Sequence, residues 1–213
     1  MAHRGTFITF EGLDGCGKST QMRRLAERLR EKGHTVLETA EPGGTPIGLQ
    51  VRRVLLDSAN QELSPSAELL LYFACRAQNV DQWIVPALER GEIVLSDRFT
   101  DSSLVYQGIG RGLGAEAVMA LDKIASRGLV PDLTLLITID LETGLYRAHA
   151  RNKRKNEVES RMDEQAVEFH RIVSGAYREL AAREPERIKV IDGRRTMGVV
   201  ERDVWETVAK YVS

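Results

Sequence analysis

Nine consecutive residues, Gly12-Leu13-Asp14-Gly15-Cys16-Gly17-Lys18-Ser19-Thr20, carry the most explicit chemistry in the chain. Two glycines flank four residues, and a lysine and a hydroxyl residue follow, which is the spacing of a phosphate-gripping loop. Glycine lets the backbone turn tightly, so that successive N–H groups converge on one point. A helix opening at Lys18 adds the partial positive charge of its N-terminus. Lys18 is then placed to reach β- and γ-phosphates, and the Ser19 hydroxyl to bind Mg2+. A chance match lacks structural context, whereas this one lies between the apolar run TFITFE (6–11) and an amphipathic stretch.

Such a loop needs a strand before it and a helix after it, and the rest of the chain supplies that architecture. Apolar runs at 6–11, 35–40, 92–97, 132–140 and 187–192 read as strands. Helical patterns fill 18–33, 66–91, 115–128, 142–152, 161–184 and 197–212, with Pro86 a break or kink in the long one. Alternation of this kind predicts a five-stranded parallel sheet with helices on both faces, an α/β fold in three layers. In such sheets ligands bind beyond the carboxyl ends of the strands. Gly12, Glu41, Asp97 and Asp140 all stand at or just past those ends.

The chain has 213 residues, a length that suits one domain spanning 1–213. Its net charge of −1 gives no basic field for a nucleic acid or membrane surface, so any anion site must be local. Two cysteines, Cys16 and Cys75, form no disulfide framework. The N-terminal apolar run is short and interrupted by Glu11, so neither a signal peptide nor a membrane span is expected, and the cytoplasm is the expected location.

The loop alone does not choose a reaction. A GTPase switch wants Asn-Lys-x-Asp after a strand; NKRK (152–155) lacks the aspartate and follows a helical pattern. A motor or nucleic-acid ATPase wants a basic tract for its polymer. A small-molecule kinase wants a second anion site with its own arginines, and four further stretches offer one: AEPGGTPIG (40–48), YFACRAQ (72–78), SDRFTDSSLVYQGIGRG (96–112) and RAHARNKRKNEVESRMDEQ (147–165).

Together with the phosphate loop, these stretches resemble the bacterial thymidylate kinases over nearly the whole chain, through EPGGT, DRF-x-DSS-x-x-YQG and PDLTL. The resemblance implies a P-loop NTPase fold, transfer of the γ-phosphoryl group of ATP to dTMP, Mg2+, and a homodimer formed through helices on one side of the sheet. It implies that Arg98 holds the acceptor phosphate while Asp97 ends its strand as a Mg2+-linked carboxylate. Asp14 would meet the sugar 3′-hydroxyl, and Glu41, Pro42 and Gly43 would form part of the acceptor wall. Tyr72 and Arg76, four apart on one helix face, would stack on the base and reach a base oxygen or the phosphate, with Phe73 the alternative aromatic. Ser102, Ser103 and Gln107 would read thymine, Tyr106 would line the sugar, and Arg111 is a further anion contact. No general base is assigned, because the acceptor is already a phosphate oxyanion.

In one branch of this family an arginine stands where this chain has Gly15. Phosphoryl transfer requires positive charge on the migrating group, so the missing cation must come from elsewhere. A mobile lid at about 148–162 is the expected source. Arg147 and Arg151 share a helical face, and Arg151, then Arg154, then Arg161 are the arginines expected to reach the transferring phosphoryl.

Overall fold

The computed structural model describes residues 5–155 and 160–212, with the side chains of Arg154 and Lys155 outside that description. Five strands, β1 (Thr6–Glu11), β2 (Val36–Ala40), β3 (Ile93–Asp97), β4 (Leu133–Thr138) and β5 (Ile188–Asp192), form one sheet in the order β2-β3-β1-β4-β5. Every pairing is parallel. The chain winds to one side of β1 and then to the other, so the carboxyl end of β1 is where the strand order reverses and a ligand crevice opens. Register sets that end: Phe10 pairs with Asp97, and Asp97 with Ala40. Glu11, Glu41 and Arg98 therefore emerge in one row.

Helix α1 (Lys18–Glu31) buries Met22, Leu25, Ala26 and Leu29 against the sheet, a spacing of three and four that marks its inward stripe. It shares a core with α9 (Met197–Val208) on one face. The opposite side carries α2 (Pro46–Leu56), α3 (Pro65–Asn79), α6 (Ala115–Ala125) and α8 (Val167–Arg183). Helix α2 falls outside the expected helical patterns, although Thr45-Pro46 is a start signal: the Thr45 hydroxyl accepts the Gly48 N–H at 2.9 Å.

The single helix expected over 66–91 is three pieces: α3, a π-helical turn at Val80–Ile84, and α4 (Val85–Glu89). The backbone stays right-handed helical through Val80, Ile84 and Val85, so Pro86 sits inside a continuous helical path with the π-helical turn directly before it. Beyond β3, a short α5 (Thr100–Ser103) widens into a second π-helical turn, Leu104–Gly110. Helix α7 (Leu141–Lys155) runs three residues past its expected end, whereas α8 begins later than expected because 161–164 form a turn.

Candidate active site

The loop of residues 12–17 joins β1 to α1. No side chain caps α1 at Gly17 and no acidic residue occupies its first turn. The Thr20 N–H donates to Gly17 O at 3.1 Å, and with no carboxylate ahead of it the start of the helix keeps its partial positive charge for an anion. Gly15 has φ +78, and a Cβ built on it would lie 2.2 Å from the carbonyl oxygen of Gly144 in α7. Position 15 is thus closed to a side chain by the root of α7, a physical reason for its glycine beyond the absence of a cation.

Asp14 stands between two cations: Lys18 Nζ donates to its Oδ1 at 3.1 Å, and Arg98 Nη2 donates to both oxygens at 3.2 Å. Burial works against the Asp14 carboxylate, but Lys18 and Arg98 outweigh it and hold its pKa far below the usual range. Burial and Arg98 likewise oppose the Lys18 ammonium, yet Asp14 and Asp97 keep its pKa above the ordinary lysine value. Two cations gathered on one side of a cleft are what a pair of phosphates requires.

Ser19 donates to Asp97 Oδ2 at 2.5 Å, and Asp97 Oδ1 is buried with no partner among the described residues. An orphaned carboxylate oxygen beside a hydroxyl, at the mouth of a phosphate loop, fits a hard divalent cation.

Arg98 is, among the described residues, one of two non-glycine residues with positive φ, at 75°. Strain of this kind persists only where the surroundings over-determine it, and here they do. The Arg98 N–H donates to Phe10 O at 2.9 Å, and its guanidinium donates to Ser102 Oγ at 2.9 Å, Tyr177 Oη at 3.2 Å and Tyr106 Oη at 3.3 Å. Beneath it lies Glu11, fully buried, which receives the Phe99 and Ser102 N–H groups and the Ser102 and Tyr177 hydroxyls. Phe99 caps α5 without a side-chain bond of its own, so the Glu11 carboxylate, reaching over from β1, serves as the cap. Burial, reinforced by Asp101, pushes the Glu11 pKa up to about 7.

The cleft bounded by these groups has a volume of about 640 Å3, within the range of sites that enclose a small ligand. Ser102, Ser103, Tyr106 and Gln107 all line it, because residues four apart share a helical face through the π-helical turn. Tyr72 and Pro42 form the opposite wall. From α7, Arg147 and Arg151 also line it. Arg151 is tethered to Asp163 at 3.0 Å and remains half-exposed.

This arrangement was compared with known proteins. The family model described as thymidylate kinase matches residues 10–204. The chain belongs to the thymidylate kinase family. It is 48% identical to a thymidylate kinase of Geotalea uraniireducens, over 96% of both chains. It is 50% identical to one of Geobacter sulfurreducens, over 89% of both. A crystal structure of thymidylate kinase from Ehrlichia chaffeensis superposes with a TM-score of 0.78 at 31% identity, covering 96% of this chain and 98% of that one. The three-layer α/β arrangement is thus the P-loop fold of that family.

Against this family background, not every expected site residue reaches the cleft. Phe73 is buried beneath the Arg76 guanidinium, 4.7 Å from its ring centre, which leaves Tyr72 as the aromatic on the wall. Arg76 and Glu41 border the cleft but are bound to each other at 2.8 Å; Arg76 also engages Asp122 and Ser103. Arg111 faces away from the cleft, onto Glu68 and Gln165. Arg161 is a correction to the lid expectation: it is 1% exposed, donating to Leu55 O at 2.5 Å and Glu68 Oε2 at 2.7 Å, so it builds the core. The Arg154 side chain lies outside the described residues, as do residues 156–159 of the lid. Glu11 and Tyr177 escape sequence reading. An acidic residue at the end of an apolar strand is the one available signal for Glu11, and Tyr177 sits in an ordinary helical pattern.

Proposed function

We propose that this chain, as one kinase domain, catalyses the reaction of its family: ATP and dTMP give ADP and dTDP, in the supply of dTTP. The observation that carries the reading is the convergence of Lys18 and Arg98 on Asp14, one cation from the donor loop and one from the acceptor side. Lys18 and the positive N-terminal end of α1 grip the donor phosphates. Arg98, fixed by Glu11, Ser102 and Tyr177, orients the acceptor phosphate toward them. Its oxyanion needs no base, so the protein supplies alignment and charge. Arg151, with Arg147 beside it, covers the migrating phosphoryl, and Arg154 is the second arginine of that segment. Ser19 and Asp97 are the residues that would hold Mg2+, which neutralises phosphate charge when bound. Tyr72, Ser102, Ser103, Tyr106 and Gln107 enclose the nucleoside.

Exposed apolar side chains on α3 and α6, Leu70 and Met119 among them, support the reading that the chain pairs as a homodimer through these helices. No helix among the described residues is long and apolar enough to cross a membrane. A cytoplasmic location is part of the same proposal, since the reaction draws on cytoplasmic nucleotides. Competition among dTMP, dUMP, dCMP and AMP in a coupled ADP-release assay tests the reading. Turnover that depends on dTMP above the others supports it. Tight ATP binding without dTMP-dependent turnover sinks it in favour of a non-catalytic nucleotide binder.

A further inference from the structure

Glu68, on α3, is completely buried and is absent from the cleft wall. Four donors meet its carboxylate. Arg111 Nε and Gln107 Nε2 reach Oε1 at 3.2 and 2.9 Å, while Arg111 Nη2 and Arg161 Nη2 reach Oε2 at 3.0 and 2.7 Å. Burial opposes the charge, but the hydrogen bonds of Arg111 and Gln107 outweigh it and lower the pKa. An ionised carboxylate accepts hydrogen bonds and donates none. The end of Gln107 that faces Glu68 must therefore be its NH2.

The consequence lies on the other end of the same amide. Gln107 lines the cleft, and with one N–H of its amide held by Glu68 the amide is fixed end for end, its carbonyl oxygen on the end away from Glu68 and left for a ligand. An unconstrained glutamine swaps its ends and accommodates either a donor or an acceptor. Here that freedom is removed from behind, by a residue that touches no ligand. A pyrimidine bearing a ring N–H, such as thymine or uracil, satisfies the carbonyl. Cytosine presents a bare ring nitrogen at the equivalent position and sets two acceptors against each other, which a buried site penalises.

We infer that Glu68 is a positioning residue that fixes the direction of the Gln107 amide and thereby sets the preference for an N–H-bearing pyrimidine monophosphate over its cytosine counterpart. The inference rests on the proposed reaction. Its test compares kcat/KM for dTMP and dCMP in the wild-type protein and in Glu68→Gln. The variant frees Gln107 to turn around, so dCMP efficiency rises, dTMP efficiency falls, and their ratio drops at least about tenfold. Because this substitution leaves two guanidiniums on a neutral group, the charge-balanced E68Q/R111Q is measured beside it. Gln107→Met retains Glu68 with both arginines; it loses dTMP efficiency and gains none for dCMP. A folded E68Q or E68Q/R111Q with the wild-type ratio overturns the inference while the reaction stands, as does Gln107→Met with an unchanged preference. A wild-type protein that turns over neither nucleotide overturns the functional reading and this inference together.

Discussion

Replacing Glu11 by glutamine has an effect that can be worked out from its four donors. Oε1 receives two backbone N–H groups, at 2.8 and 3.3 Å, so it accepts in either protonation state. Oε2 receives only hydroxyls, Ser102 at 2.6 Å and Tyr177 at 2.7 Å, and these can rotate to accept instead. A proton on Oε2 can go to either hydroxyl while the other still donates, so protonation breaks no hydrogen bond; the NH2 of a glutamine accepts nothing, so E11Q imitates the uncharged wild type at the loss of one hydroxyl's donated bond, an offset that does not depend on pH. Burial first, and then Asp101, raises the Glu11 pKa from the ordinary 4.5 to about 7, against the lowering effect of Arg98. A raised carboxyl pKa means that the folded state holds its proton more tightly than the unfolded one. Its stabilising contribution is full below pH 4.5 and is lost as pH rises through about 7. The whole shift corresponds to about 3 kcal/mol, of which about 2 kcal/mol falls between pH 5.5 and 8. Glutamine does not titrate, so over that interval the stability of E11Q relative to wild type rises by about 2 kcal/mol. Urea unfolding of both proteins at the two pH values measures the difference directly. Thermal midpoints should show it as a relative shift of about 4–8 °C. Parallel pH profiles would refute the reasoning, since they would mean that Glu11 titrates alike in the folded and unfolded chains.

Arg151→Ala should lower kcat by about 10²- to 10³-fold with little change in dTMP KM or in the thermal midpoint, because the side chain is half-exposed and its proposed work is on the migrating group. Steady-state kinetics paired with a melting curve checks this, and an unchanged kcat removes the lid arginine from the mechanism. Arg161→Ala should behave in the opposite way: it strips the buried one of two cations from the buried Glu68, so unfolding experiments should show a loss of about 3–5 kcal/mol. Gly15→Ala places a methyl group 2.2 Å from Gly144 O at a positive φ, so one partner must move. It should destabilise the protein by about 1–3 kcal/mol and speed amide exchange in the first turns of α7, whereas exchange as slow as in wild type would show that the two elements are not in contact.

Local signals made some of this molecule readable in advance. The alternation of apolar runs and helical periods announced the parallel sheet, and the glycine spacing before Lys18 announced a loop between β1 and a helix beginning at Lys18. The polar face Ser102, Ser103, Tyr106 and Gln107 was legible because residues four apart share a side. What stayed hidden depends on contacts between distant segments. Arg161 and Arg151 are both arginines in one charged run, and nothing nearby in the chain says that one enters the core at Glu68 while the other lines the cleft. Glu11 resembles an interruption of a strand until Phe99, Ser102 and Tyr177, brought from 88 to 166 residues away, are seen donating to it. Phe73 and Tyr72 are neighbours with similar propensities, and only the packing of α3 decides which ring meets the cleft.

The contact between Gly15 and Gly144 also bears on how such an enzyme can change over generations. A cation at position 15 needs a Cβ, and that atom falls within 2.2 Å of backbone belonging to the helix that carries Arg147 and Arg151. The two ways of supplying positive charge compete for the same few cubic ångströms. A lineage moving from one to the other must shift the helix outward as it gains the side chain, so the route runs through paired substitutions at 15 and around 144, and a lone exchange at either place meets a steric barrier.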